Sequence, residues 1–294
     1  MKKVLAGILA IMLLVLAGCA KTDMENDKLA KLNQEELMNQ YQILINENKP
    51  AGELTGFIKA NLTSFSQENL DKAVISCLEV MQTQLKDYED KMFSNDINIP
   101  LNNYKHEDLV KLQNIKEETI KNLLQDAFSN GYKLSQSEGM YYPEIDYDLI
   151  LKEFGGQTSD QVAGYLEIMA AESNKHFASD AALLISPDEL ANRTVKTEKY
   201  IGNYPDFALI QQVKQFHGYY LKAYLLGLNN TPLFDYQTEK AKDSFIQSYE
   251  KTIAENKETK LAGILEEYLS LLDEYDYTKS EEIMDFVTGV TSDK

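Results

Sequence analysis

Residues 66–85 read "SQENLDKAVISCLEVMQTQL", and their spacing decides the fold class. Leu70, Ala73, Val74, Cys77, Leu78, Met81 and Leu85 recur at intervals of three and four, the period of a helix with one buried stripe. Ser66 stands where an N-cap belongs. Cys77 lies on the stripe, so it reads as a buried, inert thiol.

The same grammar extends in both directions. Upstream, Asn33 reads as an N-cap with Glu36 at the capping-box distance, followed by Leu37, Tyr41, Leu44 and Ile45 on one face. "KPAG" at 49–52 ends that helix, and Leu54, Phe57, Ile58 and Leu62 form a second, shorter one. Downstream, "SNDINIPLNNY" at 94–104 reads as a loop. A further helix is expected from about 105 to 129, carrying Leu109, Leu112, Ile115, Ile120 and Leu124, with Asn130-Gly131 as its stop.

At 132–147 the texture changes to "YKLSQSEGMYYPEIDY". Glu138-Gly139 is a turn candidate between strand-like flanks, and Pro143 suits an edge. Residues 132–146 are therefore expected to form a β-hairpin or extended arm. Its tyrosines either pack the arm onto the helices or present flat faces to a glycan or peptide. Tyr141, Tyr142 and Glu144 are the candidate binding surface.

Helical starts then follow in series. Asp146 and Ser159 are N-caps, and "SPDEL" at 186–190 places Ser186, Pro187 and Glu189 at N-cap, N1 and N3. Long helices are expected near 206–228, 238–256 and 259–276, with a short one from about 279. The helix from Phe207 to Leu228 is apolar around much of its girth and should lie centrally. The expected class is all-α in the main, a multi-helix array or bundle with one small β-hairpin insertion near 132–146. The helical domain spans 33–294, with 131–158 as the candidate place for a subdivision.

The amino terminus has a different logic. "MKKVLAGILAIMLLVLAGC" opens with Lys2 and Lys3, continues with an apolar run to Leu16, and ends in small residues before Cys19. That is the layout of a secretory signal peptide, and the run is shorter than the ~20 residues a spanning helix needs. Leu16-Ala17-Gly18-Cys19 resembles the lipobox of bacterial lipoproteins. The resemblance implies cleavage between Gly18 and Cys19 and a diacylglycerol thioether on Cys19, with acyl chains such as palmitate. Residues 1–18 would be the signal peptide and 19–32 a lipidated polar tether. The protein would sit on the extracytoplasmic face of the cell membrane, in contact with the bilayer through acylated Cys19.

The chain carries 29 Lys plus Arg against 47 Asp plus Glu, a net charge of −18. Removing residues 1–18 takes away Lys2 and Lys3 and no acid, which leaves −20. Such a surface repels nucleic acid, so no nucleic-acid partner is expected. With Cys19 lipidated, Cys77 has no partner and a disulfide framework is excluded.

"KYIGNYPDFALIQQVKQF" from Lys199 aligns with "KTIAENKETKLAGILEEY" from Lys251, matching Ile201 to Ile253, Leu209 to Leu261 and Phe216 to Tyr268. Each copy is a helix end, a polar turn and a new helix. Over 195–276 this resembles the helical hairpins of tetratricopeptide-type repeats, which implies a protein-binding scaffold. The offset of 52 residues departs from that family's period of roughly 34, and "LNNTPLFDY" interrupts.

Two clusters attract attention as chemistry. Glu172-Ser173, at the end of an apolar helix, resembles the acid motif of lytic transglycosylases, in which a glutamate protonates a glycosidic oxygen; the downstream Gly-Leu-Met-Gln segment of that family is missing. Glu172, His176 and Asp180 are spaced by four, a conceivable metal face and more simply a solvated face or cap. His217 lies on an apolar stripe and reads as a hydrogen-bonded core histidine, while His106 reads as exposed. No motif implies a cofactor or a metal. The expected function is a binding or scaffold lipoprotein at the cell envelope, not an enzyme, with an envelope protein or cell-wall glycan as partner. A peptidoglycan-cleaving enzyme using Glu172 is the alternative. A solute-capturing lipoprotein of a transporter comes last, because strands and helices do not alternate.

Overall fold

The computed structural model describes residues 22–292. Gly18 and Cys19, and with them the signal-peptide reading, lie outside the described residues. The protein is mainly α-helical. It begins with α1 (Thr22–Asn46), α2 (Ala51–Ala60) and α3 (Gln67–Met92). α1 starts well before Asn33, because "TDMENDKLAKL" is rich in good helix formers. The stretch expected to be a tether to residue 32 therefore enters a helix, and Asn33 is internal rather than a cap.

Two further expectations change before the hairpin. The 94–104 segment holds a short helix, α4 (Asn95–Leu101), pinned by Asn98, whose Nδ2 donates to the carbonyls of Met92 (3.1 Å) and Tyr141 (2.9 Å). The helix expected over 105–129 is divided into α5 (His106–Val110) and α6 (Glu118–Ser129). Leu112 and Asn114 between them have φ of 53° and 57°, so the apolar spacing runs through a chain reversal.

The hairpin forms as β1 (Tyr132–Ser137) and β2 (Met140–Ile145), in antiparallel register with Tyr132 opposite Ile145 and Leu134 opposite Pro143. Glu138 and Gly139 turn with φ of 50° and 77°, the primed turn that matches strand twist. Tyr132, Leu134, Tyr141, Pro143 and Ile145 face inward. α7 (Tyr147–Phe154) and α8 (Asp160–Asn174) follow. Then come two ladders too short to register as alternation: β3 (Ala178–Ser179) with β4 (Ala182–Leu183), and, beyond α9 (Pro187–Asn203) and α10 (Ile210–Leu226), β5 (Gly227–Leu228) with β6 (Thr231–Pro232). α11 (Asp243–Glu255), α12 (Lys260–Glu274) and α13 (Glu281–Thr291) complete the chain.

The expected single hairpin is thus one of three among the described residues, each set between successive helices: α6–α7, α8–α9 and α10–α11. They stand in a row. Ser137 Oγ lies 2.8 Å from Ser179 Oγ, Leu183 N–H donates to Thr231 Oγ1 at 2.8 Å, and Asn230 N–H donates to the Ala181 carbonyl at 2.8 Å.

Two apolar cores result, but the boundary is not at 131–158. The hairpin and α7 belong to the first core, with α1–α3 and α8. The seam crosses α9 and α10. Tyr200, Ile210 and Val213 pack in the first core, whereas Leu190, Val195, Tyr220 and Tyr224 pack in the second with α11–α13. α10 is central, as its girth predicts. α9 packs on α10 and also touches α11 and α12, so the two aligned helix pairs do stack.

Tyrosine does much of the polar satisfaction. The buried C-terminus of α10 leaves four carbonyls without intrahelical donors. Gly227 N–H takes that of Ala223, Tyr249 OH that of Tyr224 (2.7 Å), Tyr268 OH that of Leu225 (2.9 Å) and Leu233 N–H that of Leu226 (2.9 Å). No helix among the described residues is long and apolar enough to cross a membrane.

Candidate functional site

The residues expected to form a binding surface on the hairpin are mostly committed to the fold. Tyr141 is only 3% exposed, and its ring lies parallel to that of exposed His106 with centroids 6.0 Å apart. The alternation that makes the strand turns it inward, so Tyr141 is a packing residue and not part of a surface. Tyr142 and Glu144, on the opposite face, meet the end of α8. Tyr142 OH is 3.3 Å from His176 Nε2, and Glu144 accepts from Ser135 Oγ at 2.7 Å and lies 3.5 Å from His176 Nε2.

His176 also faces Glu172, with Nδ1 3.5 Å from Oε1. Glu172 is 6% exposed and richly supplied with donors: Arg193 Nη1 at 2.8 Å, Tyr220 OH at 2.6 Å and Phe177 N–H at 3.0 Å. Arg193 is itself held by Glu189 at 2.7 Å, and its Nη1 also donates to the Lys175 carbonyl at 2.9 Å. Burial pushes the Glu172 pKa up, but the hydrogen bonds from His176, Tyr220 and Phe177 and the charge of Arg193 outweigh it and leave it below the usual value. Hydrogen bonds to Glu144 and then Glu172 raise His176 to about 9.

Glu172 is therefore a carboxylate fixed in its ionised form. A proton donor at neutral pH needs the opposite shift, so these surroundings do not favour Glu172 as a general acid. Asp180 does not join it. It sits at the exposed β3–β4 turn with φ of 47°, and its carbonyl accepts from Asn230 Nδ2 at 2.5 Å. Among the described residues, no group of three or more His, Cys, Asp and Glu is placed to hold a metal. His217 is the half-buried core histidine expected, its Nδ1 3.0 Å from Thr197 Oγ1 and its pKa lowered by burial. Cys77 is buried, and burial raises its thiol to about 12.

Another place is unsatisfied. A cleft of about 600 Å³ opens where α10 ends, between the second and third hairpins, the 233–240 segment and the start of α13. Its floor is apolar, with Phe177, Leu226, Leu228, Pro232, Phe234 and Met284. Two tyrosines stand at its mouth: Tyr219 is 50% exposed and accepts from Gln215 Nε2, and Tyr236 is 74% exposed and donates to the Asn229 carbonyl.

Gly227 makes the corner. Its φ of 69° and ψ of −162° belong to glycine, and a Cβ there would lie 2.3 Å from the Thr231 carbonyl oxygen. Ala181 and Glu239, which also line the cleft, adopt φ of 52° and 56° without being glycine, a strain that tends to gather at functional sites.

The charged lining is sparse. Asp235 Oδ1 accepts from the N–H groups of Gln237 (2.9 Å) and Thr238 (3.0 Å), which shape the loop. Lys222, Glu239 and Lys279 project at the edge without an ion pair among the described residues. Phe177 joins the two regions, since its N–H holds Glu172 while its ring lies in the cleft wall, edge-on to Tyr220 at 5.2 Å.

Sequence reasoning missed this cleft. The one local signal was "GLNNTP" at 227–232, a glycine and paired asparagines between helices. The chain matches no protein-family model, no curated protein and no solved structure.

Proposed function

We propose that this is a lipid-anchored, extracytoplasmic binding lipoprotein at the cell envelope, tethered through acylated Cys19 and capturing its ligand in the cleft at the end of α10. The cleft carries the reading. About 600 Å³ of mainly apolar and aromatic lining with a few polar groups is the usual composition of a small-ligand site. A concavity of that kind favours ligand capture over a flat scaffold surface. The lipobox-like Leu16-Ala17-Gly18-Cys19 supports the anchor, because two acyl chains hold a protein on a bilayer where one binds only marginally. The −20 charge of the processed chain keeps the domain clear of anionic lipid.

Two measurements test the two halves. Metabolic labelling with a fatty-acid analogue should mark the wild type and not Cys19→Ala; equal labelling would sink the anchor. The uncharged dye N-phenyl-1-naphthylamine should brighten on binding the wild-type domain and fail to do so with Leu228→Trp, which fills the cleft. Equal brightening with both proteins would place apolar binding elsewhere.

A further inference from the structure

The charges around the cleft point to a chemical class of ligand, and the argument rests on the cleft being the binding site. We infer that the cleft takes a short peptide, two or three residues long, with apolar side chains and both termini free. A purely apolar guest would leave the edge charges without a role. A simple anion or cation would meet a repelling partner, because the edge carries both signs. Glu239 offers an uncommitted carboxylate, while Lys222 on α10 and Lys279 before α13 offer ammonium groups.

Asp235 Oδ1 already accepts from its own turn, which leaves Glu239 as the lining carboxylate with both oxygens open. Glu239 and Lys279 stand on adjoining segments, as the Lys279 N–H donates to the Glu239 carbonyl at 3.0 Å. A zwitterion lying across the cleft satisfies both signs. Its ammonium meets Glu239, its carboxylate meets Lys222 on α10, and its side chains enter the apolar lining formed by Leu226, Leu228, Pro232 and Met284. The exposed rings of Tyr219 and Tyr236 then cover the peptide backbone, with polar edges toward water. Glu239 holds a left-handed backbone that the chain does not adopt cheaply.

The test is calorimetric titration of the folded domain with trileucine, N-acetyl-trileucine and trileucine amide, beside the neutral dye. Trileucine should bind and displace the dye. Acetylation should weaken binding at least tenfold in the wild type and have little further effect in Glu239→Gln. Amidation should do the same in the wild type and have little further effect in Lys222→Gln. All these side chains are exposed, and circular dichroism confirms that the variants fold. Capped peptides binding as tightly as the free one, or a dye that binds while no peptide does, overturns the peptide proposal and leaves the cleft reading intact. Failure of the dye as well overturns the cleft itself.

Discussion

The Glu172 network and the cleft are neighbours that share Phe177, yet they differ in how much of their bonding capacity is spent. Around Glu172, a conspicuous glutamate, histidine and arginine are packed against one another until the carboxylate has Arg193, Tyr220, Phe177 N–H and His176 as partners. At the cleft, ordinary leucines and lysines are left with open space and unpaired charge. Residues with catalytic reputations can be structural when their valences are filled, and a site is better recognised by what remains unfilled.

The largest expected effect breaks the network. Arg193→Leu leaves Glu172 buried with His176 as its one remaining cationic neighbour and should cost about 3 kcal/mol in urea unfolding, while dye binding at the cleft persists. Replacing Glu172 by Leu as well should recover much of the loss, as a double-mutant cycle would show. A small cost for the single change would mean that Tyr220 and His176 suffice.

Next comes the cleft wall. Gly227→Ala forces a Cβ toward the Thr231 carbonyl and the Leu233 amide, at 2.3 and 2.5 Å. It should cost about 2 kcal/mol and abolish dye binding, the reverse pairing of stability and binding from Arg193→Leu.

The smallest effect is the dependence on pH. His176 faces Glu144, Glu172 and the Tyr142 hydroxyl, with Arg193 on the far side of Glu172. Its folded pKa, about 9, lies above the unfolded value, so its contribution is complete below about 6.5 and disappears as pH rises through 9. With the ring 32% exposed, solvent screening reduces this to about 1 kcal/mol. His176→Gln should flatten stability between pH 6.5 and 9, and an unchanged slope would assign that window to other groups.

The legible parts of the sequence were those decided within a few residues. Ser66, Asp146, Ser159 and Ser186 each accept from the amide three residues on, at 3.1–3.4 Å, as their spacing foretold. The Glu138-Gly139 hairpin was legible for the same reason. Leu112 misled because an apolar period can continue through a turn. The β3–β4 and β5–β6 ladders have two-residue strands, too short for alternation to speak. The cleft draws on residues from Phe177 to Met284, joined only by tertiary packing, and no local pattern could assemble it. Tyr141 was misassigned because an aromatic on an inserted hairpin serves a core as readily as a ligand.

The passage of α9 and α10 through both cores has a consequence for how the molecule comes apart. Each helix has one end in the first core and the other in the second. Melting either core alone would strip apolar contacts from half of each helix while the other half stayed bound, which keeps most of the ordering cost and forfeits much of the burial. The two cores should therefore unfold together, with local opening sought first in short elements that touch a single core, such as α5.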